Sequence, residues 1–138
     1  MAKVEFTDGD FGVKLEQLGG REAIRRIVEA GVKAAIKLDQ ERTVAAGHVI
    51  TGRLKEGFGP GVYHEDLDSA WQYVYPQGTD SDGQDLAKIA FVINYGRGGK
   101  KTAKTGDKFL TGHKDTLDEA VGKAMAAEAE RIKNDIMR

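Results

Sequence analysis

Apolar residues recur at helical spacing towards both ends of the chain and in shorter, strand-like runs between them. From Arg21 to about Ala46, Ile24, Ile27, Val28, Gly31, Ala34, Ala35 and Leu38 fall on one stripe, while Arg25, Arg26, Glu29, Lys33, Lys37 and Glu41 lie mostly on other faces. That pattern predicts a long amphipathic helix. Gly19-Gly20 separates it from a shorter apolar pattern over Phe11 to Leu18, which reads either as a kinked continuation or as a strand followed by a turn. Near the other end, Asp115 or Thr116 can cap a second helix. Asp118 and Glu119 suit its first turn, Arg131, Lys133 and Arg138 its last, and Leu117, Val121, Ala124, Met125, Ile132 and Ile136 form its stripe. Each helix is apolar on one side only, so both are predicted to lie on a common sheet.

The centre supplies that sheet. Ser69 to Tyr75 is aromatic-rich with partial alternation, ends at Pro76 and is followed by the turn-forming run Gly78 to Gly83. The apolar run from about Leu86 to Tyr95 is predicted as the second strand of a hairpin with a long polar loop. Val62-Tyr63-His64 reads as an edge strand, Val4-Glu5-Phe6 as a further pairing segment, and Gly57-Phe58-Gly59-Pro60-Gly61 as irregular by composition. The expected fold class is therefore α+β: a small antiparallel sheet packed with a long N-terminal helix and a C-terminal helix. A single domain is expected over residues 1–138, with a flexible loop at about 96–106.

Composition narrows the chemistry. With 40% hydrophobic and 31% charged residues the chain reads as a soluble globular protein, and its net charge of -1 argues against a general nucleic-acid binder, whose phosphate contacts need a basic excess. There is no cysteine, which removes disulfides, thiolate metal sites and thiol nucleophiles. The start Met-Ala-Lys-Val-Glu-Phe lacks an apolar signal core and no apolar run approaches the ~20 residues of a membrane span, so the expected setting is the cytoplasm or something assembled there.

Gly96-Arg97-Gly98-Gly99-Lys100-Lys101-Thr102 invites comparison with a phosphate-cradling loop, but it lacks the required pair of glycines four residues apart before Lys-Thr. His48, His64 and His113 are scattered, and His64 with Asp66 or Asp68 offers only a generic ligand pair. Neither Ser69 nor Ser81 sits in a nucleophile elbow. No catalytic residue, cofactor or metal site is expected.

Charge placement is more informative. Between His64 and Ala87 stand Glu65, Asp66, Asp68, Asp80, Asp82 and Asp85 with no Lys or Arg, whereas Arg97, Lys100, Lys101, Lys104 and Lys108 face only Asp107 in the segment beyond. Blocks of charge are ordinarily solvated loops. The sharper reading is an assembly interface, with Arg97, Lys100, Lys101 and Lys104 of one subunit meeting Asp80, Asp82 and Asp85 of the next. Complementary patches at different places on one surface give head-to-tail contacts that can close a ring.

The order of a long helix, Thr51-Gly52-x-Leu54, central strands, an apolar segment ending in Tyr95-Gly96, a Gly/Lys loop, Phe109-Leu110 and a terminal helix resembles the tail-completion and head-tail joining proteins of long-tailed bacteriophages and prophages. The resemblance runs from about Val4 to Ile136. It departs from that family where Asn94 stands for a common acidic residue, Arg97 for a threonine, and Thr111-Gly112-His113 for a frequent proline. What it implies is a non-enzymatic virion protein at the head-tail junction, present in the host cytoplasm during assembly. The implied protomer forms a ring of six subunits and contacts other connector or tail-tube proteins, with no membrane partner and no specific nucleic-acid partner. A tail terminator capping the tail tube is the alternative within the family. A small nucleic-acid-binding module using the basic 97–108 loop, with Tyr73 or Tyr75 for stacking, is the alternative outside it.

Overall fold

The computed structural model describes residues 2–8, 10, 21–47, 53–97, 104–106 and 108–136. In chain order these form strand β1 (Ala2–Thr7), helix α1 (Arg21–Ala45), the one-turn helix α2 (Arg53–Glu56) and strands β2 (Phe58–Pro60), β3 (His64–Glu65) and β4 (Ser69–Pro76). Helix α3 (Leu86–Tyr95), the short paired segments β5 (Gly96–Arg97) and β6 (Lys104–Thr105), a 3-10 turn (Thr111–His113) and helix α4 (Lys114–Ile136) follow. The fold is α+β, with an antiparallel sheet, a long helix from the first half of the chain and a second long helix at its end. The segment Phe11 to Leu18, whose pattern allows helix or strand, lies outside the described residues.

Strand β4 is the axis of the main sheet. It pairs antiparallel with β1 along one side, through Ala2↔Val74, Val4↔Gln72 and Phe6↔Ala70, and with β2 and β3 along the other, through Phe58↔Pro76 and His64↔Trp71. Because side chains alternate across a strand, Val4, Phe6, Ala70, Val74 and Pro76 share the core face and are buried, while Trp71, Tyr73 and Tyr75 share the opposite face, half-buried. Helix α1 lays Ile24, Ile27, Val28, Val32 and Ala35 on the core face, and α4 packs along α1 with Met125, Ala129 and Ile132. Each such side chain, fully buried, contributes about 1.5–3 kcal/mol. The charged pair Arg26–Glu128, 2.7 Å apart, closes the seam between the two helices.

Where α1 crosses the sheet it carries Gly31. A Cβ there would come within 2.7 Å of Val4 Cγ1 and 2.8 Å of Met125 Cγ. Only glycine lets the strand, α1 and α4 meet at that point.

Four expectations change. The run Leu86–Tyr95 is a helix, not a strand. Leu86, Ile89, Ala90, Ile93 and Asn94 recur at three- and four-residue spacing, and the carboxylate of Asp85 accepts from the Ala87 N–H at 3.0 Å, capping the first turn. The hairpin partner of β4 is consequently the upstream segment, and Gly57–Gly61, irregular by composition, supplies β2. Pro60 is tolerated there because β2 is an edge strand, where a missing N–H breaks no ladder. The edge strand expected at Val62-Tyr63-His64 is confined to His64–Glu65, and Val62 is exposed. Finally, Leu38 is only half-buried; the apolar stripe of α1 drifts as 3.6-residue periodicity requires, and Asp39 takes the inward position at 5% exposure.

Candidate assembly surface

Helix α3 organises the residues that sequence reading singled out. Its inner stripe, Leu86 and Ala90 with Ile89 and Ile93 beside them, packs on Leu54 of α2 and on Phe109 to form a second, smaller apolar cluster. Its outer stripe is also apolar: Phe91 is 61% exposed and Tyr95 54%, and their rings meet at a tilt of 47° with centroids 4.7 Å apart. Lys88 is the only charged residue on this helix. A short helix with apolar side chains on both faces has one more face than its own protomer covers.

The acidic turn sits at the N-terminal end of α3. Asp80 Oδ1 accepts from the N–H groups of Asp82 and Gln84, each at 2.9 Å, and the Thr79↔Asp85 bridge closes the loop. Two of the three candidate acids therefore hold local structure: Asp80 organises the turn and Asp85 caps the helix. Asp82 is exposed and its carboxylate makes no hydrogen bond among the described residues. Arg53 from α2 reaches this turn and donates to the Thr79 carbonyl at 3.5 Å, so one cation accompanies the three acids.

At the C-terminal end, Gly96 caps α3 with φ 93°, a left-handed conformation natural to glycine, and its N–H donates to Val92 O. The chain then turns into β5, which pairs with β6 so that Arg97 stands opposite Lys104. Those two candidate cations are thus adjacent in backbone register, while Lys100 and Lys101 lie outside the described residues, as does the middle of the loop expected to be flexible.

The clamp beneath this end is Asn94, 2% exposed. Its Oδ1 accepts from the N–H groups of Leu110 and Thr111 at 3.1 and 3.2 Å, and its Nδ2 donates to Thr111 Oγ1 at 3.1 Å. The Asn94 carbonyl also accepts from Lys108 N–H at 3.0 Å. This fixes the Phe109-Leu110 segment against α3, and it explains why a residue with both a donor and acceptors stands at 94. The composition of the run concealed the clamp, but the spacing Asp85, Leu86, Ile89, Ala90, Ile93, Asn94 contained the signal of a capped helix with one inward polar end.

A ten-residue helix is about 15 Å long. The acidic turn and the backbone of Gly96–Arg97 therefore stand at opposite ends of α3. The signs of the two segments match the helix dipole, acids at the N-terminus and bases at the C-terminus.

Elsewhere the chemistry is structural. His64 stacks on Trp71 with ring centroids 5.4 Å apart, and Lys3 Nζ lies 5.4 Å from the Trp71 ring while pairing with Glu5 at 3.2 Å. The aromatic face of Trp71, Tyr73 and Tyr75 thus carries one paired cation opposite it in the sheet. Among the described residues no group of three or more His, Asp or Glu is arranged to hold a metal ion, and no helix is long and apolar enough to cross a membrane. No family model, curated protein or solved structure matches the chain.

Proposed function

We propose that this chain is a structural virion protein of a long-tailed bacteriophage, a non-enzymatic subunit that assembles into a ring, of six copies by the resemblance, at the head-tail junction and joins or completes the tail. The observation that carries the reading is the outer surface of α3: an exposed, tilted Phe91–Tyr95 ring pair, with an acidic turn before the helix and a segment rich in Lys and Arg after it. Such a surface suits protein contact, because the aromatic centre gives up water and the charged ends set orientation. Complementary charges at different places on one subunit can serve a head-to-tail contact between identical subunits.

The nucleic-acid reading is less well supported. The Tyr73 and Tyr75 face of the sheet has its nearest cation, Lys3, already paired with Glu5, which leaves little excess charge there to hold phosphates. Electron microscopy of the purified protein, alone and with candidate connector and tail-tube proteins, tests the proposal. Rings, or incorporation at the end of a tail, are expected; a monodisperse monomer that joins no tail component and instead retards single-stranded DNA sinks it.

A further inference from the structure

The cavity beneath the β1 edge of the sheet borders the end of α3 at Tyr95, but its other walls play no part in the function proposed above. It measures about 600 Å³, within the range of small-ligand pockets. Its apolar walls include Phe58, Val74 and Pro76 from the sheet, Leu110 just before the 3-10 turn and Leu117 from the first turns of α4. At its α1 side stands Asp39, 5% exposed.

Among the described residues the charged side chains around this space are already matched, with one exception. Lys3 pairs with Glu5 at 3.2 Å and Lys114 with Asp118 at 3.1 Å, and all four line the cavity. Thr111 is engaged by Asn94, and Tyr95 presents its ring to Phe91. The Asp39 carboxyl has no hydrogen bond or ion pair with another described side chain; its backbone carbonyl accepts from Thr43 Oγ1 at 2.8 Å. A carboxylate withdrawn from water with no partner among the described side chains is costly, and a cation entering the adjacent space would reduce that cost. Burial raises its pKa to about 6, offset in part by the positive charge of the amino terminus.

From this geometry we infer that the cavity is a binding site for a primary ammonium carried on an aliphatic stem, the ammonium pairing with Asp39 and the stem lying against Phe58, Val74, Leu110 and Leu117. A metal ion does not fit, since a single carboxylate supplies too few oxygens and no three-ligand group exists among the described residues. An anion does not fit either, because Lys3 and Lys114 are already paired and the remaining acid would repel it.

The test uses the full chain with n-butylammonium chloride against sodium chloride at equal ionic strength, with n-butanol as the uncharged control. Carbon-detected NMR of the Asp39 carboxyl and thermal shift are the readouts. Butylammonium should move the Asp39 titration to lower pH, raise the melting temperature, and bind at least tenfold more weakly at pH 4 than at pH 8. Asp39→Asn should abolish the charge preference; the pH comparison needs no variant, so it stands even if that protein folds poorly. Equal binding of n-butanol and butylammonium, or undiminished butylammonium binding at pH 4, overturns the inference. An N-acetylated protein separates the chain's own amino terminus from an external amine: if butylammonium binds only after acetylation, the site belongs to the terminus and the inference fails. Comparing butylammonium with Nα-acetyl-lysine amide then distinguishes a free amine from a lysine side chain of a partner, and failure of both probes to bind overturns the site altogether.

Discussion

Asn94 and Thr111, 17 residues apart in sequence, hold each other through the Asn94 carboxamide, which donates to the Thr111 hydroxyl at 3.1 Å and accepts from the Thr111 N–H at 3.2 Å. Replacing Asn94 with Ala leaves the N–H groups of Leu110 and Thr111 without their acceptor and should cost roughly 2–4 kcal/mol. Asn94→Asp keeps that acceptor and should cost less at low pH than at pH 8, since it places a charge at a site 2% exposed. Urea unfolding of both variants at the two pH values measures this; wild-type midpoints for Asn94→Ala would show that the clamp does not hold α3.

Gly31→Ala sets two effects against each other. Alanine favours a helix interior by about 1 kcal/mol over glycine, but its Cβ meets Val4 Cγ1 at 2.7 Å and Met125 Cγ at 2.8 Å in a closed core. Overpacking of this kind costs about 1–3 kcal/mol, so the net should be destabilising. A melting temperature above wild type would mean that α1 can lift from the sheet without loss.

Asp39 gives stability a pH dependence of definite sign. With its pKa raised from 3.8 to about 6 in the folded state, the native protein binds the proton more tightly than the unfolded chain. Its contribution is therefore neutral below pH ~4, becomes increasingly unfavourable as pH rises to ~6, and stays so above, to an upper limit of roughly 3 kcal/mol. Asp39→Asn should match wild type near pH 4 and exceed it at pH 7.5. A constant difference across that range, in unfolding followed by circular dichroism, would contradict burial as the cause.

For assembly, Lys100, Lys101 and Lys104 reversed to Glu should weaken ring formation or tail joining, with an effect that shrinks as salt rises, while the melting temperature stays within a few degrees of wild type. The compensating change must be confined to Asp82→Lys, since Asp80 holds its turn and Asp85 caps α3. Asp85→Ala alone should cost about 1 kcal/mol through the lost cap. Phe91→Ser should reduce assembly independently of salt. Sedimentation across a salt series reads all of these, and normal assembly by the triple Glu variant would return both charged segments to the role of solvated loops.

The two long helices were legible because their stripes repeat over many turns: Ile24, Ile27, Val28 and Ala35 are buried as their spacing predicts, and Met125 and Ile132 likewise. The pairing of Val4-Glu5-Phe6 was legible from alternation. Leu86–Tyr95 was misread as a strand because Phe91 and Tyr95 make its outer face apolar too, obscuring the three- and four-residue spacing and the Asp85 cap that mark a helix. The charged segments could be found by composition, but not their placement at opposite ends of one helix, which follows from that same assignment. Asp39 was invisible for a different reason: a single polar residue on an apolar stripe announces itself only when the neighbouring surfaces are in place.

Strands β1, β2 and β3 all pair with β4. The consequence is an order of events during synthesis. Phe6 and Val4 leave the ribosome early but find their partners only when Ala70 and Gln72 have emerged, after the whole of α1. Until then the amphipathic α1 has no sheet to lie on, and the apolar face of β1, Val4 and Phe6, has no strand to pair with. The main sheet cannot form before Ser69–Pro76 is complete, and its core closes only when Met125, Ala129 and Ile132 of α4 arrive.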